Sequence, residues 1–251
     1  MKPRIHAGVG GWTFEPWRNN FYPAGLPHSR ELHYASRQLT AIEVNGTFYS
    51  TFQPKTFAKW RDETPEGFVF ALKAHRFTTH RRELAGAQEG IQRFIGSGIA
   101  ELGDKLGPLL WQLMPTTPFR PDDLEAFLRL LPREAGGLPL RHVLDVRHPS
   151  FATEEYLELL ARHGCTTVYT DSEKFPSIPH ARSQLAYLRL MRSAADCATG
   201  YAPEELAKWV QGARDWAAAA EGNEAFVFFI NGAKERAPHA AMEFLRQLGA
   251  A

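Results

Sequence analysis

With 251 residues, 44% of them hydrophobic, the chain carries enough apolar side chains for one sizeable core. Its 29 basic and 28 acidic residues leave a net charge of +1, which excludes the overall basic excess of a general polyanion binder but leaves room for a local basic pocket. Cys165 and Cys197 lack CxxC spacing and cannot make a disulfide framework, so they read as reduced thiols in a reducing compartment.

Eight short apolar runs, most of them ending in a polar residue, punctuate the chain. They predict strands at Ile5 to Trp12, Ala41 to Tyr49, Phe68 to His75, Leu109 to Met114, His142 to His148, Thr167 to Asp171, Ala186 to Met191 and Ala225 to Asn231. Helical spacing fills most of the gaps. Leu32, Ala35 and Leu39 share a face within Ser29 to Leu39, and Phe57 and Trp60 lie in Pro54 to Asp62. Ile91, Ile95, Ile99 and Leu102 predict a helix over Gln88 to Leu102. Pro121-Asp122-Asp123 opens the next, because proline suits the first turn and acids suit the positive end of the dipole. Thr153 caps Glu154 to His163, and the last two helices run from Pro203 to about Ala220 and from Pro238 to Leu248. The weak link is Phe175 to Pro179, a loop-like segment with no long helix after it. Strands alternating with helices imply a parallel sheet, and eight such units at this length predict a closed (β/α)8 barrel, a single α/β domain over residues 1–251. Met1 to His6 holds no apolar leader core and no run approaches a membrane span, so a cytoplasmic protein without a membrane partner is expected.

Parallel strands bring all their C-terminal ends to one rim, so the site is expected there. Glu43 and Asp171 are the carboxylates suited to proton transfer, with Lys73 as the third catalytic candidate. Lys73, Arg147 and Arg189 are cations for a phosphate or carboxylate, although pairing with Glu43, Asp145 and Asp171 is the competing reading. Asn45, Gln112 and Asn231 are expected to fix hydroxyls, with Trp12, Tyr49, His75 and Asp145 also assigned to substrate binding. No metal ligand is assigned: His75, His80 and His148 match no HxH or HExxH spacing, and Arg76, Arg81 and Arg82 would repel a cation. No cofactor is expected, although magnesium carried in with a phosphorylated substrate needs only one or two carboxylates.

Several of these segments carry a family resemblance. The residues are Gly10-Gly11-Trp12, Phe21 to Gly25, Glu43 to Tyr49, Trp60 with Thr64-Pro65, Phe70 to Ala74 and Thr79-His80. Lys105 to Pro108, Gln112 to Pro115, Val146-Arg147-His148 and Tyr187-Leu188-Arg189 continue it. In these the chain resembles the DUF72 (YecE-like) family over nearly its whole length. The resemblance implies a barrel-like fold and no established activity. Two departures stand out: Asp145 where many members carry Glu, and Met191-Arg192 where many read His-Gly after the seventh-strand arginine. The leading expectation is an enzyme, a hydrolase or isomerase, acting on a phosphate-containing or otherwise anionic substrate. The alternatives are a metal-dependent phosphodiesterase and a non-catalytic binder of nucleic acid or another anion, the last resting on the basic stretch from Lys73 to Arg82.

Overall fold

The computed structural model describes residues 4–179 and 183–249; Met1 to Pro3, part of the leader reading above, lie outside the described residues. Eight parallel strands close into a barrel: β1 (Ile5–Gly10), β2 (Ala41–Val44), β3 (Val69–Lys73), β4 (Leu106–Gln112), β5 (His142–Asp145), β6 (Thr166–Thr170), β7 (Leu185–Leu190) and β8 (Glu224–Phe229). Closure comes from β1 pairing with β8 at Ile5↔Ala225 through Val9↔Phe229 and with β2 at Gly8↔Ala41. Gly8 is required there: a Cβ would stand 1.7 Å from the carbonyl oxygen of Ala41. All eight expected strands are present, and most lose their last residues to the loops above the rim.

Two apolar cores result from strands buried on both faces. Ala41, Val69, Ala71, Leu110, Val143, Val168, Tyr187, Phe226 and Phe228 fill the lumen. Residues of the opposite parity, among them Ile42, Phe70, Leu72, Trp111 and Leu144, pack outward. They meet helices α1 (Glu31–Gln38), α3 (Pro54–Glu63), α4 (Gln88–Ile95), α5 (Pro121–Leu130), α6 (Glu154–Arg162), α7 (Pro203–Ala219) and α8 (Ala237–Gly249), with α2 (Gly46–Tyr49) a single turn above β2. A two-stranded antiparallel ribbon, Glu134–Ala135 with Leu138–Pro139, leads into β5.

Three local departures from the expected elements have physical causes. The strand expected through Tyr49 ends at Val44, because the Thr47 hydroxyl donates to Val44 O at 2.9 Å and Lys73 O at 2.7 Å and holds α2 in place. The helix expected over Gln88 to Leu102 stops at Ile95: Gly98 takes φ +103°, and the chain resumes as a 3-10 stretch over Ile99–Lys105. Between β6 and β7 no helix occurs among the described residues, which leaves Tyr169 37% exposed beside Trp209. No helix of the described residues is long and apolar enough to cross a membrane, and both cysteines are free.

Candidate active site

The lumen alternation runs on into the rim. Glu43 stands two residues after Ala41, Lys73 after Ala71, Gln112 after Leu110, Asp145 after Val143 and Arg189 after Tyr187, so all five point into the barrel mouth. Their convergence is therefore a consequence of strand parity and register.

Arg189 is the centre of the cluster and is 2% exposed. Its Nε donates to Glu43 Oε2 at 3.0 Å, Nη2 to Glu43 Oε1 at 3.0 Å, and Nη1 to Asp145 Oδ2 at 2.7 Å. Tyr187 donates its hydroxyl to Glu43 Oε2 at 2.8 Å. Burial opposes the Arg189 charge, but the carboxylates of Glu43 and Asp145 more than offset it and hold the guanidinium above its ordinary pKa. Burial, then the Glu43 charge, pushes the Tyr187 phenol well up, so it stays a neutral donor. The fork geometry of Arg189 is thus turned inward, onto protein carboxylates.

Arg147 extends the network outward. Its Nη2 donates to Gln112 Oε1 at 2.8 Å and Asp145 Oδ2 at 3.1 Å, and its guanidinium lies 4.4 Å from the ring centre of Phe175. Its Nε is buried and has no partner among the described residues. Such a donor calls for an acceptor.

Lys73 differs from both arginines. It is 6% exposed, and among the described residues no hydrogen bond or ion pair holds its Nζ, which lies 4.1 Å from the ring centre of Phe48. Burial and the positive charge of Arg189 lower its pKa to about 8 against the upward pull of Glu43 and Asp145. With Lys73 protonated, three cations face two carboxylates, and both carboxylates are already bonded to arginine.

The remaining candidates lie apart from this cluster. Asp171 falls on the outward parity of β6; its Oδ1 accepts from Met191 N at 2.6 Å and its Oδ2 from the Tyr201 hydroxyl at 2.7 Å. Asn231 is on the outward parity of β8 and is exposed. His75 accepts from Phe77 N at 3.3 Å and caps the turn Arg76–Thr78. Tyr49 is 64% exposed. Trp12 packs edge-on against Trp60 at 5.1 Å, and Asn45 at the edge of the mouth donates to Glu43 O at 3.4 Å. The sequence reading gave no role to Tyr187, Phe48 or Phe175, which partner Glu43, Lys73 and Arg147. Only Tyr187 left a signal, its i, i+2 relation to Arg189. Among the described residues no group of three or more His, Cys, Asp or Glu could hold a metal ion.

The profile of a family described as "Protein of unknown function DUF72" matches residues 6–251. The chain belongs to the DUF72 family. Among curated relatives, the UPF0759 protein YecE of Escherichia coli K12 is 28% identical over 150 residues, 59% of this chain and 50% of YecE. YunF of Bacillus subtilis is 26% identical over 159 residues, 61% of this chain and 54% of YunF. The chain thus spans about half the length of the curated relatives it matches. A DUF72 family protein of Thermotoga maritima superposes with a TM-score of 0.77 at 24% identity, covering 98% of this chain and 99% of that one. The same barrel recurs outside DUF72, in SacUVDE (TM-score 0.58, 9% identity, 98% of this chain and 100% of that one) and in D-psicose 3-epimerase (0.54, 11%, with the same coverages); these show the fold alone.

Proposed function

We propose that this DUF72 protein is an enzyme that takes a small anionic substrate, bearing phosphate or carboxylate, at the C-terminal mouth of its barrel. The observation that carries this reading is the surplus cation of the mouth: Lys73 without a hydrogen-bonding partner among the described residues, beside Arg147 with a buried Nε that lacks an acceptor. Arg147 is the anion contact, since among the described residues only its Nη2 is committed, to Gln112 and Asp145, while its buried Nε lacks an acceptor. Lys73 moves the proton: a pKa of about 8 puts it within reach of both protonation states near neutral pH. Arg189 acts differently from the leading sequence expectation, as the internal tie that binds Glu43 and Asp145 together in the mouth.

The test is a thermal-shift panel of sugar phosphates, nucleotides and short carboxylic acids. A compound at about 100 times its Kd should add about 2.7 kcal/mol, a rise of roughly 5–10 °C for a chain of this size. The rise should disappear in Arg147→Ala. A panel without any response, or a response indifferent to Arg147→Ala, would overturn the reading.

One observation favours the nucleic-acid alternative: Phe77 is 62% exposed beside Arg76, and Tyr49 is exposed at the same rim. Exposed aromatics among arginines suit stacked bases and phosphates. Oligonucleotide binding that weakens steeply with salt and is lost in Phe77→Ala would support it. Binding unchanged in that variant would reject it.

A further inference from the structure

Lys73 is placed for more than proton transfer. A lysine that serves only to carry charge is held by a carboxylate, which keeps it an ammonium. Here the two carboxylates that could do so, Glu43 and Asp145, are bonded to Arg189, with Arg147 also on Asp145. The Nζ instead lies 4.1 Å from the ring centre of Phe48, among the described residues without any acceptor. Burial and the guanidinium charges of Arg189 and Arg147 disfavour the ammonium relative to the amine, and with no carboxylate among the described residues holding the Nζ the nitrogen lone pair is uncommitted. An amine prepared in this way, next to an anion contact, suits an electrophile that carries a negative group a few bonds away.

We infer that Lys73 forms an imine with the carbonyl carbon of an anionic aldehyde or ketone, a 2-oxo acid or a keto or aldo phosphate, whose negative group is held by Arg147. The inference rests on the anion-binding reading of the same mouth and names its substrate class. The neutral amine attacks the carbonyl carbon, the C=O pair moves to oxygen, and a proton passes from nitrogen to that oxygen to give the carbinolamine. The C–O bond then breaks, the hydroxyl leaves as water with a proton from solvent, and the nitrogen lone pair forms the C=N bond of the protonated imine. No oxidant or reductant enters.

The test combines borohydride trapping with thermal shift on the intact protein, using pyruvate, dihydroxyacetone phosphate and acetone as probes. Hydride delivered to the imine carbon leaves a secondary amine, so the protein gains the mass of the probe less an oxygen. Peptide mapping should place the adduct on Lys73, with no adduct when borohydride is omitted. Pyruvate or dihydroxyacetone phosphate, whichever matches the site, should label about tenfold or more faster than acetone, the worth of a charge-assisted contact to Arg147. Labelling should rise with pH through the titration of Lys73. It should vanish in Lys73→Arg, which keeps the cation but is not nucleophilic, and in Lys73→Met, which guards against misfolding of the arginine variant.

A thermal shift by an anionic probe without any Lys73 adduct would overturn the imine and leave the anion site standing. Adducts scattered over exposed lysines, and persisting in Lys73→Arg, would overturn it as well. Neither shift nor adduct with any probe would overturn both the imine and the anion-binding reading beneath it.

Discussion

The two ends of the barrel each hold an ionic cluster, and they are built differently. At the N-terminal end Glu224 lies between two bases: His6 Nε2 stands 3.1 Å from Oε1, and Arg141 bonds Oε2. That carboxylate is one-quarter exposed and bonded by both bases, with His6 Nδ1 buried and without a partner among the described residues. Although burial works against it, bonds from His6 and Arg141 hold Glu224 below its ordinary pKa. At the C-terminal end the arginine–carboxylate lattice is fully buried, and Lys73 remains over. Charge that closes on itself holds a fixed geometry and is costly to break, whereas buried charge without a bonding partner marks a candidate ligand site.

The sharpest way to break this contrast is Arg189→Met. It leaves Glu43 buried without its cation and Asp145 with Arg147 alone, and urea denaturation should register a loss of about 3–5 kcal/mol. A loss below about 1 kcal/mol would mean that the upper lattice is no more structural than a surface pair.

Next in size is Lys73→Met, with the opposite sign. Lys73 has a folded pKa of about 8 against 10.5 for the free side chain, so the unfolded chain binds more protons between those values and stability rises with pH across that window. The full penalty, about 3 kcal/mol, applies below pH 8 and is gone above pH 10.5. The methionine variant should therefore melt higher than the natural chain at pH 7, and the gap should close as pH climbs from 8 to 10.5. Equal melting temperatures at pH 7 would mean that the ammonium finds solvent.

Asp171→Asn should cost about 1–3 kcal/mol, because one of its two part-buried, bonded acceptors is replaced by a donor facing Met191 N or the Tyr201 hydroxyl. Probe binding at the mouth should be unchanged. A loss of probe response at full stability would return Asp171 to the site.

Glu224→Gln has the smallest expected effect, about 1 kcal/mol or less at neutral pH. A lowered carboxylate pKa contributes stability above the unfolded value of 4.5 and loses it as pH falls through the folded value. Acid unfolding should therefore converge for the natural chain and this variant at low pH. If Glu224→Gln instead costs as much as Arg189→Met, the two ends are not different in kind.

Much of the fold was legible in the residues because each strand is buried on both faces and reads as an apolar run with a polar end. Glu43, Lys73, Gln112, Asp145 and Arg189 were legible as rim candidates for the same reason. Asp171 and Asn231 looked equivalent in the sequence, since a polar residue after an apolar run carries no label for the face it occupies. One step of parity, counted from lumen residues such as Val168 and Phe228, sends them outward. Loop candidates fared similarly: His75 caps a turn and Trp12 packs on Trp60, choices made by local hydrogen bonding and aromatic packing.

The sequence by itself determined the barrel, its eight strands and the set of charges gathered at its mouth, because apolar periodicity and strand polarity are local properties. Only the tertiary structure decided who pairs with whom. Glu43 and Arg189 are 146 positions apart, and their bond depends on register around a closed barrel. That pairing alone leaves Lys73 with an aromatic ring for a neighbour and its nitrogen unclaimed.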